Sequence, residues 1–206
     1  MKLEDYKKVE TTNIDFKVDL EKEKPKSWLK SVSAFANTKG GIILFGIDDK
    51  SHEAKGIKDV VKTTEKISEL INARIEPLPR YELNYFEEDG KNFIELEIGD
   101  GPITPYFYVA DGRKEAFIRS GNQSIPAPAH MLQNLILKGK NVTFDSLPSE
   151  YNIGDLSFTL LFATIKDKTE RKFDKNRDYI SLGLADKNNK LTNGGVLLSD
   201  QGPLNQ

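Results

Sequence analysis

SAFANTKGGIILFGIDD, residues 33–49, decides how the rest of the chain is arranged. Its first part closes an amphipathic helix, because Trp28, Leu29, Val32, Phe35 and Ala36 recur on one face at helical spacing. Asn37, Thr38 and a glycine pair then make a normal helix stop, with Gly40 able to take the left-handed conformation at little cost. Residues 42–45 form a short apolar run rich in β-branched side chains, which predicts a strand covered on both faces. Asp48 and Asp49 come next, where that strand leaves the core, a usual position for working side chains.

Upstream, residues 14–20 alternate cleanly, with Ile14, Phe16, Val18 and Leu20 apolar and Asp15, Lys17 and Asp19 between them. This predicts a half-buried strand whose other face is a solvated edge of mixed charge. Pro25 suits the first turn of the next helix. Downstream, residues 60–73 repeat at helical spacing until a Glu76-Pro77-Leu78-Pro79 stop. Two alternating runs around Asp89-Gly90 predict a hairpin. Short strands are expected at 106–108 and 115–119, then a polar loop at 120–124. A helix at 127–138 should pack Met131, Leu132, Leu135 and Ile136. From residue 141 the character shifts to a linker beginning at Leu147-Pro148, a helix at 155–167, a locally basic stretch at 166–177, and a tail of helix end, turn and strand. The expected class is α+β, a mixed β-sheet with flanking helices over residues 1–140. A linker and C-terminal helical extension over 141–206 would lead into further domains.

Composition narrows the chemistry. No apolar run approaches the length of a membrane span, and the N-terminus lacks a secretory apolar core, so a cytoplasmic protein with no membrane partner is the simplest expectation. The absence of cysteine removes disulfides, thiolate catalysis and thiolate zinc sites. With His52 and His130 the only histidines, a His-rich metal site or Ser-His-Asp triad is hard to assemble. A net charge of −2 means that any nucleic-acid surface must be a local patch. Neither GxxxxGK[ST] nor GxGxxG occurs, and Lys39-Gly40-Gly41 is too short to replace a phosphate cradle.

Two constellations remain. Glu10, Asp15 and Asp49 (or Asp48), with Lys17 beside them, would gather at one sheet edge if the 14–20 and 42–47 strands pair. Clustered carboxylates suit a hard divalent ion such as Mg²⁺ or Mn²⁺. Spacing alone does not separate such a set from ordinary surface acids, of which the chain has 32 including both Asp and Glu. The second is Arg119 with Ser120, Gly121 and Gln123 after it. A strand ending in arginine before a glycine-containing loop can offer guanidinium and backbone N–H groups to a phosphate, although an ordinary turn reads the same way.

Glu10, IDFK at 14–17, SAFANTKGGIILFGIDD, Gly56 and AFIRSGNQSIPA at 116–127 closely resemble the Schlafen AlbA_2 domain, the likeness spanning roughly residues 10–138. This family, assigned to DNA binding in many bacterial regulators, was formerly described as a divergent AAA or ATP-dependent-helicase-related group. The tail segment KLTNGGVLLS is similar to the segment C-terminal to this domain in longer bacterial proteins. The resemblance implies an α+β nucleic-acid-binding module of a bacterial transcriptional regulator, with DNA preferred over RNA. Lys17, Asn37, Thr38, Lys39 and Arg119 are the expected phosphate contacts, and no cofactor is expected. In animal Schlafens a similar region forms a metal-dependent ribonuclease site from two Glu and an Asp with a nearby Lys. Carried over by motif, these are Glu10, Asp15 and Asp49 with Lys17, and Asp15 is one methylene shorter than the family's usual Glu. A Mg²⁺- or Mn²⁺-dependent endoribonuclease is therefore the enzyme alternative. A third reading is an oligomerisation or partner-binding module, including a homo-oligomer.

Overall fold

Strand β2 (Gly41–Phe45) runs parallel to β1 (Ile14–Lys17), with Ile14 opposite Ile42 and Lys17 opposite Phe45. On its other side it is antiparallel to β5 (Lys91–Ile98), which pairs with β4 (Tyr81–Glu88) to complete a four-stranded sheet of order β1-β2-β5-β4. In the computed structural model, Leu3, Tyr6 and residues 13–169 and 174–202 are described, positions 175 and 176 by backbone alone. Alternation along β2 places Ile43 and Phe45 in one apolar cluster and Leu44 in another, with Phe16 and Phe93, against which Leu3 and Tyr6 pack. Both faces of the strand are thus covered, as its unbroken apolar run requires.

Helix α1 (Lys26–Asn37) packs against β2 and also against a second sheet, of order β3-β6-β7-β8. These strands are β3 (Ile75–Glu76), β6 (Phe107–Ala110), β7 (Arg113–Ser120) and β8 (Gln123–Pro126). Because it has a sheet on either side, nine of its twelve residues are buried, and the single apolar stripe expected from sequence widens to nearly the whole circumference. Small side chains permit this close approach at Ser31, Ser33, Ala34 and Ala36. The Ser33 hydroxyl donates to the Tyr106 carbonyl at 2.7 Å and accepts from the Phe117 N–H at 3.1 Å, tying the helix to two neighbouring segments.

Several expected boundaries move. Strand β1 ends at Lys17 rather than residue 20, because the Lys17 carbonyl accepts from Gly46 and Ile47 where β2 itself ends, leaving Val18 exposed. Helix α2 (Val60–Arg74) starts at Asp59, whose side chain accepts from the Lys62 N–H at 3.0 Å. The expected polar loop at 120–124 is a two-residue turn leading into β8, with Ser120 opposite Gln123. Helix α3 (Ala129–Gly139) buries Leu135, while Met131 and Ile136 are exposed.

All of these elements belong to the first of two compact units, Met1–Lys140 and Asn141–Gln206. In the second, the segment read as a linker at 147–148 opens β9 (Pro148–Asn152), which pairs antiparallel with β10 (Lys190–Thr192). Helices α4 (Thr159–Thr169), α5 (Lys175–Ser181) and α6 (Asn193–Leu197) and a 3₁₀ turn (Phe144–Ser146) complete the regular structure among its described residues. Its core gathers Phe158, Tyr179, Leu184, Leu191 and Val196. No helix among the described residues is long and apolar enough to cross a membrane.

Candidate functional site

The face of β1 read as solvated is instead packed beside α1. Asp15 lies opposite Ile43, and its carboxylate accepts from Lys17 Nζ at 2.6 Å and, through the other oxygen, from the Ser31 hydroxyl at 2.6 Å. Only 16% of the Lys17 side chain and 12% of the Asp15 side chain are exposed. Ser31 is 3.0 Å from the Ser124 hydroxyl, and Ser124 accepts from Arg119 Nη1 at 3.0 Å. Arg119 also reaches the Ile14 carbonyl at 3.4 Å, and its guanidinium lies over the Phe35 ring, 4.8 Å from the centroid. Residues from β1, α1, β7 and β8 therefore meet in one polar network with two cations and one carboxylate.

Burial sets the electrostatics of this network. It pushes the Arg119 pKa down, and the Asp15 charge opposes that shift. A guanidinium remains protonated through such a change, so it offers a fixed, partly desolvated positive charge. A cation in this state gains more from an approaching anion than a fully hydrated lysine does.

The three residues closing α1 have different roles. Asn37 is buried, and its amide donates to the Tyr106 carbonyl at 2.9 Å and the Phe117 carbonyl at 3.0 Å while its oxygen accepts from the Tyr106 N–H at 2.7 Å. These bonds turn the side chain inward, so the expectation of a phosphate contact is corrected to a clamp between helix and sheet. The Thr38 hydroxyl donates back to the Ala34 carbonyl at 2.7 Å, also a local structural use. Lys39 is exposed in the turn. In that same turn the carbonyl of Phe35, whose ring lies beneath Arg119, accepts from the Thr38 and Gly40 N–H groups, each at 3.0 Å. Gly40 has φ +76°, and a side chain on Gly41 would run into the Phe35 ring, so both glycines are needed for the turn to close.

The carboxylates expected at the strand exit do not join this network. Asp48 accepts from the Ser51 and Lys50 N–H groups at 2.9 and 3.0 Å, and these bonds lower its pKa, Ser51 contributing most. Asp49 is exposed beyond it, and Glu10 lies outside the described residues. Among the described residues no three His, Cys, Asp or Glu side chains come together as a metal site requires. With both Asp15 oxygens already holding Lys17 and Ser31, the described side chains do not fit a bound divalent ion.

Ser31 and Ser124 escaped sequence reasoning because each contributes one hydroxyl on an otherwise ordinary element. The available signal was the absence of charge from Ser31 to Thr38, which marks a helix buried all round. A second group of cations, Lys26, Arg113 and Lys114, lines a groove of about 890 Å³ with Tyr108, Asp111 and Glu115. Lys26 is paired with Glu115 at 2.5 Å and Lys114 with Glu76 at 2.8 Å, so much of that charge is neutralised locally.

Among solved structures, the chain is similar to the DIP2311 protein of Corynebacterium diphtheriae, at 18% identity and a TM-score of 0.48 over 90% of this chain and 35% of that one. It is also similar to the N-terminal domain of a Nitrosomonas europaea protein described as related to the ATP-dependent DNA helicase RecG. There the identity is 21% and the TM-score 0.45, over 62% of this chain and 93% of that one. The chain thus spans about a third of the length of the Corynebacterium protein. The family model for Schlafen, AlbA_2 matches residues 10–128, which hold both sheets, α1 and every residue of the polar network. With more than half of its length matched in this way, the chain belongs to the Schlafen AlbA_2 family.

Proposed function

We propose that residues 1–140 are a nucleic-acid-binding module, with DNA the preferred partner, serving a bacterial transcriptional regulator in the cytoplasm. The observation that carries this reading is the setting of Arg119: a partly desolvated guanidinium held by Ser124, Ile14 and Phe35, beside a turn that exposes Lys39. Such a pair offers one preorganised contact and one adaptable contact to a phosphate backbone, which positions nucleic acid without reading sequence. Membership of the AlbA_2 family supports the same reading. Lys17 adds positive charge to the same network, although its ammonium is engaged by Asp15.

The test is titration of the whole chain into labelled duplex DNA and structured RNA at low and moderate salt, with EDTA or with Mn²⁺. Binding without cleavage that weakens as salt rises supports the proposal. Metal-dependent RNA cleavage abolished by Asp49→Asn would replace it with a nuclease using Glu10, Asp15 and Asp49. A concentration-dependent mass with no affinity for either nucleic acid would replace it with an oligomerisation module.

A further inference from the structure

We infer that the outer edge of β4 is a docking site for a basic, extended segment of another protein, added as a further strand of the first sheet. Exposed sheet edges present unpaired backbone groups and are normally blunted by short length, proline, charged side chains (lysine above all) or a covering contact. Among the described residues, three of the four sheet edges in the first unit are short and closed by proline or a covering contact. Strand β1 has four residues, and Arg119 donates to its Ile14 carbonyl. Strand β8 has four residues and ends in Pro126, while β3 has two and runs straight into Pro77.

Strand β4 is different. Its eight residues, YELNYFEE, contain neither proline nor lysine and pair with β5 in unbroken register from Tyr81 to Glu88. Among the described residues, no backbone group pairs with its outer side. Tyr85 stands 69% exposed along it. Glu82 and Glu87 are exposed, on opposite faces of the strand, Glu82 lies opposite the exposed Glu97 of β5, and at the strand's end Glu88 accepts from the Leu3 N–H at 2.9 Å.

Charge selects the occupant. A second copy of the chain paired antiparallel would bring Glu82 and Glu88 of the two strands together on one face with no cation in either strand, which opposes self-pairing. A strand bearing lysine or arginine at alternate positions sets them on the face of Glu82 and Glu88, completes the backbone ladder and lays its remaining side chains beside Tyr85 on the other face. The acidic edge therefore accepts a basic strand while discouraging a copy of itself.

The probe is a fluorescein-labelled peptide of alternating lysine and valine, as long as β4, titrated into the full chain by fluorescence anisotropy and two-dimensional amide NMR. Two control peptides have glutamate in place of lysine, or proline in place of valine at unchanged charge. Binding of the Lys-Val peptide with amide shifts centred on residues 82–88, at least about tenfold weaker for the proline control, supports the site. The substitution Glu82→Lys, on the face the lysines would share, should weaken that binding by about tenfold or more while leaving the amide spectrum folded. Equal binding of the proline control would reveal plain charge attraction and overturn the proposal. No binding, shifts mapping elsewhere, or self-association through β4 would overturn it too.

Discussion

Arg119 and Phe35 are separated by 84 positions in the chain, yet the guanidinium carbon sits 4.8 Å from the ring centroid. The contact joins the last turn of α1 to the end of β7 and holds the cation where a hydrated side chain would otherwise swing free. Arg119→Lys keeps the charge but removes the planar contact and the fork that reaches Ser124 and Ile14. We expect it to destabilise the first unit by about 1 kcal/mol in urea unfolding. Nucleic-acid affinity should fall with it, and retention of both values would separate Arg119 from the interface.

Lys39 tests the surface without disturbing the interior. Its side chain is exposed in the turn after α1. Lys39→Gln should leave stability within about 0.5 kcal/mol of the original. The logarithmic dependence of affinity on salt should become shallower by about one unit. An unchanged slope would mean that this turn does not meet a phosphate.

Asn37 is expected to behave in the opposite way. Replacement by alanine strands the Tyr106 N–H and removes the donors to the Tyr106 and Phe117 carbonyls inside the core. A loss of about 2–4 kcal/mol is expected in urea unfolding. A cost near zero would show that these bonds do not clamp the helix.

In the second unit, Asp200 accepts from the Ser157 hydroxyl, the Thr159 N–H and the Leu160 N–H at 2.7, 2.7 and 3.1 Å. These bonds, Ser157 foremost, hold its pKa below the ordinary 3.8. A carboxylate whose folded pKa is depressed contributes stability above its unfolded value and loses it as pH falls through the folded one. Asp200→Asn should therefore lower the melting temperature near neutral pH, and the gap should close in acid below pH 3.8. A gap independent of pH would assign the effect to packing.

Local signals carried the reading of β2 and of the turn before it: an apolar run, a glycine pair and the end of a helical repeat are contained within a few residues. The polar network was not legible in the same way. Asp15 and Lys17 alternate with apolar neighbours as solvated edge residues do, and nothing nearby in sequence announces that Ser31 and Ser124 will cover them. Ser31 bonds across 16 positions to Asp15 and meets Ser124 across 93. Asn37 looks like a helix terminator because it is one, while its side chain reaches 69 positions to Tyr106. Strand β9 was hidden for a related reason, since its pairing with β10 spans some forty residues and its own sequence, PSEYN, has little strand character.

Because β2 faces apolar residues on both sides, it divides the interior of the first unit like a wall shared by two rooms. A change at Ile43 or Phe45 disturbs the α1 side, and a change at Leu44 disturbs the side of Phe16 and Phe93. The strand itself has no face left to vary. Positions free to vary lie in the turns at its two ends, where Lys39 and Asp49 are open to water.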